Sequence, residues 1–277
     1  MATYISAKDI RVEGELKRLY WGLAIVGIPL LVVSLVLAVL PIVVALLLLA
    51  AFGVWLAQAN MLGNMMKVTA KQFPDILKIS EEAATRLVMA RPEVFITQSP
   101  ILNAYATGFI GRKSVVLHSA LVEALEPEEL QWVIGHEFTH IKCNHTNLSV
   151  LTGAATDSAA HFNIPVLSWI LRLVFNPWKH YAEYTCDRGG LLAGRNLRAA
   201  IKSQTKLVVG PELAKKIDID AFIKAGKELD KNQFAKFAEN WLSHPYSVNR
   251  VRMLVSYYHS PDYSRLSMDP QLGYSDR

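Results

Sequence analysis

The feature that most limits how this chain can fold is a stretch from Leu19 to Met66 without a single charged residue. From Trp21 to Leu56 it is almost wholly Leu, Val, Ile, Ala and Gly, too apolar for a helix surrounded by water. The chain is 52% hydrophobic and only 19% charged because the apolar excess is gathered in this one segment. A cleaved signal peptide has an apolar region of roughly 7–15 residues, far shorter than this run, so the segment is expected to persist as a membrane anchor.

As one straight helix, Trp21 to Trp55 would extend about 51 Å at about 1.5 Å per residue, against a hydrocarbon core about 30 Å thick. Folding near Leu40 gives two arms of roughly 25 Å each, with Pro41 suited to the first turn of the second arm. The expectation is therefore a transmembrane helical hairpin over residues 19–60. It follows a basic N-terminal segment, residues 1–18, and precedes a domain covering residues 61–277. A hairpin sets Tyr20, Trp21 and Trp55 at one interface, together with Lys8, Arg11, Lys17 and Arg18 before it and Lys67, Lys71 and Lys78 after it. By the positive-inside rule both ends face the cytoplasm, at an inner or plasma membrane. A single strongly tilted span, with the domain on the other side, is the alternative.

Two cysteines, Cys143 and Cys186, are too few for a disulfide framework and agree with a reducing compartment. A net charge of +5 without basic clusters interleaved with aromatics suggests no nucleic-acid partner. Neither a phosphate-cradling glycine loop followed by a helix and lysine nor a serine nucleophile elbow is evident.

After the apolar segment, the pattern predicts a linker helix over Lys67 to Met89. Three short β-prone runs follow, Glu93 to Thr97, Asn103 to Thr107 and Ser114 to Leu117, separated by turn residues and expected to form a small antiparallel sheet. A helix starting at Pro127, with Glu128 and Glu129 in its first turn, should reach about Asn144. The apolar stretch Ile164 to Phe175 is too short to span a bilayer and is expected to be a core or cleft-wall helix, a part dipping into the membrane interface being the alternative.

The predicted helix contains His136-Glu137-Phe138-Thr139-His140, which projects two imidazoles from one face a single turn apart, the spacing a tetrahedral zinc requires. Glu137 is placed to act as a general base toward water rather than as a ligand. Small Gly135 invites a close neighbour. Downstream, Glu183 and Asp187 share one helix face, so Glu183 can complete the ligand set while Asp187 orients a ligand histidine. Cys143 is expected to be a packed small side chain, and His118, His161, His180 and His259 to be surface or satisfied core histidines.

These motifs resemble the HtpX-like membrane metallopeptidases, a group that includes the CAAX prenyl proteases. The resemblance runs from about Asn103 to Arg250 in four ordered blocks: Asn103 to Gly108, the His136–His140 motif extended to His145, Glu183 with Asp187, and His244-Pro245 with Arg250. It implies an α+β fold, a mainly helical gluzincin-type metalloprotease domain carrying the small sheet. It also implies that Asn103, Ala104, Tyr105 and Ala106 pair with an extended substrate, that His244 and Arg250 steady the charge on the attacked carbonyl, and that His145 supports the ligands from behind. The expected function is zinc-dependent cleavage of protein or peptide substrates at a lipid membrane, in protein quality control. A membrane-anchored zinc-binding protein without proteolytic activity is the alternative. The chain departs from the bacterial heat-shock members in lacking two further apolar helices between His145 and Glu183, and in having Cys186 where many members have alanine. Because every expected ligand lies beyond residue 60, residues 61–277 are expected to bind zinc alone.

Overall fold

The computed structural model describes residues 5–37, 40–108, 113–147, 165–229, 238–239, 242 and 244–268. It is mainly helical, with one small sheet. A short helix α1 (Ala7–Ile10), closed by a capping box between Ser6 and Asp9, leads into α2 (Glu15–Val36), which is followed by α3 (Leu40–Gly63). Within α2, Glu15–Leu35 is long and apolar enough to cross a membrane, and only 17% of it is buried against the rest of the chain. Along α3, Leu48, Leu49, Phe52 and Trp55 are also exposed.

The linker helix is shorter than the pattern predicts. Strand β1 (Met66–Lys67) comes first, and the helix, α4 (Pro74–Arg86), begins only at Pro74. Proline suits this first helical position because it has no N–H to leave unpaired, and Phe73 before it lies in the left-handed region at φ 64°. Strands β2 (Glu93–Thr97), β3 (Ala104–Thr107) and β4 (Ser114–His118) follow.

The sheet is mixed, not antiparallel throughout. Its order is β1-β2-β4-β3, with β2 parallel to β4 and the other pairs antiparallel. The chain reverses once between β2 and β3 and again between β3 and β4, so β4 runs with β2 and lies between them. β4 takes the inner place because Ser114, Val115, Val116 and Leu117 are buried on both faces of the sheet. β3 is left on the edge.

Next come α5 (Ser119–Ala124) and α6 (Pro127–Lys142), the latter starting at Pro127 with a Glu126–Glu129 capping box and Glu128 and Glu129 in its first turn. A long helix, α7 (Pro165–Gly194), ends where Arg195 turns left-handed at φ 55°, as the Gly194-Arg195-Asn196 sequence suggests. Then follow α8 (Leu197–Val209), α9 (Pro211–Ala214), α10 (Ile219–Leu229), α11 (Ser247–Tyr258) and α12 (Pro261–Ser267). The main core packs the sheet and α4 against α6 and the last turns of α7, through Val94, Val115, Leu117, Ile134, Phe138 and Leu191.

The first half of α7, expected as a core or cleft-wall helix, is covered on one side only. Leu171 and Phe175 are covered, packed with Val26 of α2, whereas Trp169, Ile170 and Leu173 are exposed. Asp157 and His161 lie outside the described residues, as does the rest of 148–164.

α6 and α7 cross at glycines. A Cβ on Gly135 would overlap that of Ala193, one on Gly189 would overlap the Thr139 side chain, and one on Gly190 would come within 2.8 Å of the Trp132 carbonyl oxygen. Neighbouring helices usually keep their axes 8–10 Å apart because side chains lie between them; glycine removes that spacer. Gly189→Ala is therefore expected to destabilise the fold by about 1–3 kcal/mol or more in thermal or denaturant unfolding. Gly53→Ala, which meets nothing within 4 Å, should leave it unchanged. Equal effects at the two positions would remove the close-packing account.

Candidate active site

The glycine crossing brings the middle of α6 against the last turns of α7. His136 and His140 point from α6 with their Nε2 atoms 3.3 Å apart. Glu183, on α7, inserts one carboxylate oxygen toward each ring: Oε2 is 3.5 Å from His136 Nε2 and Oε1 is 3.5 Å from His140 Nε2. A tetrahedral zinc with bonds of about 2.0–2.1 Å separates its ligand atoms by roughly 3.3 Å. The two imidazoles and the carboxylate therefore fit zinc in both chemistry and spacing.

Behind this triangle, His136 Nδ1 lies 3.1 Å from Asp187 Oδ1. Arg250, from α11, donates to both oxygens of Asp187, at 2.9 Å from Nε and 2.6 Å from Nη2. Its Nη1 is 3.3 Å from Glu183 Oε2, so one guanidinium ties both carboxylates together. Asp187 and Glu183 are buried, a setting that raises a carboxylate pKa; here Arg250 and the histidines outweigh it and hold both below the ordinary range. His244, three residues before α11, reaches the site as well, with Nδ1 3.4 Å from Glu183 Oε1, and that hydrogen bond holds its ring above the usual histidine value.

These groups open on a cleft of about 510 Å³. Glu137 lines it beside the two histidines, as do His244 and Arg250. The opposite wall is Asn103, Ala104, Tyr105 and Ala106, in and just before the edge strand β3. The residues singled out by sequence thus converge on one cavity, with two exceptions. Asp187 stands behind His136, and His145 is fully enclosed beneath the site, its ring 5.3 Å from that of His140.

Cys186 also lies near the metal triangle, its Sγ within 4.8 Å of ligand atoms of His136 and His140. Burial, then neighbouring Cys143 and carboxylates, push its thiol well above the ordinary range. Its Sγ already contacts His145 Nδ1 at 3.4 Å, whereas Glu183 turns one oxygen to each ring at 3.5 Å, so Glu183 is the better-placed third donor. Cys143 is packed and buried, its thiol pushed up to about 12 by burial. His118 and His180 are satisfied by the backbone carbonyls of Ile101 and Leu242, and His161 lies outside the described residues.

Sequence reasoning missed Glu15 and Thr185. Glu15, at the start of α2, is 1% exposed and lies 2.9 Å from His145 Nε2. An acidic residue four positions before the charge-free run was the available signal, but nothing in the local pattern names its distant partner.

A helix bearing two histidines and a glutamate, crossed by a second helix that supplies a carboxylate, defines a zinc-metallopeptidase type of centre. The family model for peptidase family M48 matches residues 70–257, and the chain belongs to that zinc-dependent family. It is 30% identical over 222 residues to the plastoglobule-localized metallopeptidase 48, chloroplastic, of Arabidopsis thaliana, covering 74% of this chain and 63% of that protein. It is 36% identical over 94 residues to a protease HtpX homolog of Streptococcus pyogenes serotype M5 (strain Manfredo), covering 34% of this chain and 32% of the relative. The chain thus spans less than two thirds of the length of these relatives.

Without metal, burial disfavours a charged His136, but hydrogen bonds and charge from Asp187 and Glu183 outweigh it and raise its pKa from 6.5 to about 9. A pKa raised on folding stabilises the fold fully below the unfolded value and loses that stabilisation as pH climbs through the folded value. Metal-free protein should therefore lose thermal stability between about pH 6.5 and 9. Zinc affinity should rise over the same window, because a ligand imidazole must be neutral. A metal-free unfolding temperature that stays flat across this window, and matches that of His136→Gln, would contradict the assignment.

Proposed function

We propose that the chain is a membrane-anchored, zinc-dependent endopeptidase. The observation that carries this reading is the triangle of His136, His140 and Glu183 in a cleft that also holds Glu137 and is walled by an open strand edge. Zinc held by those three side chains would supply Lewis acidity toward a water molecule and a peptide carbonyl. Glu137 takes the proton from the attacking water and returns it to the leaving amine. Asp187 holds the His136 ring through Nδ1 and keeps Nε2 aimed into the triangle. His244, and Nη1 of Arg250, steady the charge that develops on the attacked carbonyl oxygen.

An extended substrate adds to β3, whose outer edge is unpaired among the described residues. Its main-chain groups then align with the cleft without demanding a particular sequence. Proteins and peptides are the substrates, with membrane-protein quality control as the setting suggested by the HtpX resemblance.

The same reading makes α2 and α3 the arms of a transmembrane hairpin over residues 19–60, with residues 61–277 as the catalytic domain. The support is their exposed apolar side chains and the basic residues on both flanks, which favour cytoplasmic ends at an inner or plasma membrane. Protease accessibility in sealed vesicles should put the N-terminus and residues beyond Lys67 on one side of the membrane; labelling on opposite sides would exclude the hairpin.

The two glutamates provide the sharpest test of the chemistry. Glu137→Gln keeps size but removes the base, so zinc should stay bound while casein hydrolysis falls by roughly two orders of magnitude or more. Glu183→Gln replaces an anionic ligand by a neutral amide and should weaken zinc binding first. Loss of zinc from Glu137→Gln with full zinc occupancy in Glu183→Gln would mean that ligand and base are interchanged. Full zinc occupancy in the parent protein with no hydrolysis of any peptide substrate would favour the non-proteolytic alternative.

A further inference from the structure

The residues before the apolar segment do not form a detached basic tail. Ile10, Val12 and Leu19 are buried, and Leu19 packs on Trp178 and Ala182 of α7. Arg18 lies over the Tyr181 ring, 3.7 Å from its centroid. Arg11 donates to the carbonyl oxygen of Cys143, just beyond the end of α6. This strap crosses the underside of both helices that carry the metal triangle.

Its one buried acid lies at the centre of a continuous polar chain. Glu15 Oε1 meets His145 Nε2 at 2.9 Å and Arg11 Nε at 3.2 Å. Its other oxygen accepts from the Thr185 hydroxyl, which in turn accepts from the Val12 N–H at 3.0 Å. On the far side of the ring, His145 Nδ1 faces Cys186 Sγ at 3.4 Å. With His145 donating from Nε2 to the carboxylate, Nδ1 is the acceptor, and the thiol can donate to it. The ring is thereby fixed at both nitrogens, packed edge-to-face with His140. Thr185 and Cys186 lie two and three residues beyond Glu183 on α7.

We propose that Glu15 is a positioning residue for the metal centre: it locks the His145 ring that packs against His140 and clamps the α7 turn next to Glu183. The proposal rests on His140 and Glu183 being ligands. Glu15 is also the first residue of α2, so the apolar helix and the metal centre share a single buried carboxylate. It follows that residues 61–277 alone, though they contain every expected ligand, bind zinc less tightly than the whole chain.

The test uses the full-length protein in detergent, with zinc affinity read by chelator competition and ligand geometry by the visible absorption of the cobalt-substituted form. Glu15→Ala is expected to weaken zinc binding roughly tenfold, the lower end for loss of a supporting partner, and to shift the cobalt bands. Glu15→Gln, which restores a neutral acceptor to His145, should recover most of the affinity. Leu19→Ala, which loosens the same strap without touching the polar chain, should lower the unfolding temperature and leave zinc affinity and cobalt bands at parent values. Where Glu15→Ala does not fold, Glu15→Asp, which draws the carboxylate back by one methylene, should show the same weakening and shift. Parent-like affinity and spectrum in folded Glu15→Ala, or in Glu15→Asp in its place, overturn the proposal. So does equal weakening in Leu19→Ala, which would reduce Glu15 to general stability. His140→Ala is the control for the underlying assignment: it should lose the metal, and if it keeps parent affinity and bands, the ligand assignment fails and the proposal with it.

Discussion

Everything at the proposed metal centre depends on how closely α6 approaches α7. Two histidines on one helix can be set by helical periodicity alone, but the third donor comes from a different helix and must arrive within a few tenths of an ångström. Gly135 on α6 and Gly189 and Gly190 on α7 allow this by removing the side chains that would hold the helices apart. Thr139, inside the histidine motif, fills the space left by Gly189 and bonds its hydroxyl to the Gly135 carbonyl oxygen at 2.8 Å. The motif's two middle positions therefore serve packing: Phe138 enters the main core and Thr139 the crossing.

The second constraint is electrostatic. Two buried carboxylates, Glu183 and Asp187, would each be costly to enclose alone, and they are tolerable only as a network with the half-buried Arg250. Arg250 meets Asp187 in a bidentate pair and reaches Glu183 with its remaining nitrogen. This ties α11 to α7, so a helix late in the chain stabilises the charge of a site formed mainly by earlier ones.

Periodicity and spacing made much of this legible. The spacing of His136 and His140, and of Glu183 and Asp187, fixes which side chains share a helix face, and that is local geometry. The start of α6 at Pro127 and the end of α7 at Gly194 were likewise written in capping and breaking residues. The strand order was not, because parallel pairing of β2 with β4 is a matter of where the chain reverses rather than of any strand's own pattern. Nor was the late start of α4, where Met66 and Lys67 pair with Ile96 and Phe95 instead of entering the helix. Glu15 was hidden for a related reason: its partners His145 and Thr185 are 130 and 170 residues away, and no local rule reports such a contact.

The edge strand carries its own consequence for how tightly anything can be held. β3 is four residues long, and along a strand only alternate residues turn their N–H and C=O outward, so an added chain gains about four main-chain hydrogen bonds. At a net of roughly 0.5–1.5 kcal/mol each, these contribute about 2–6 kcal/mol before the cost of immobilising the guest. That falls short of the roughly 8 kcal/mol that corresponds to micromolar binding. Under the proposed reading, selection then depends less on recognition than on effective concentration. Chains confined to the same lipid surface as the anchor meet the edge often enough to be cut, while equally suitable chains in bulk solution are mostly left alone.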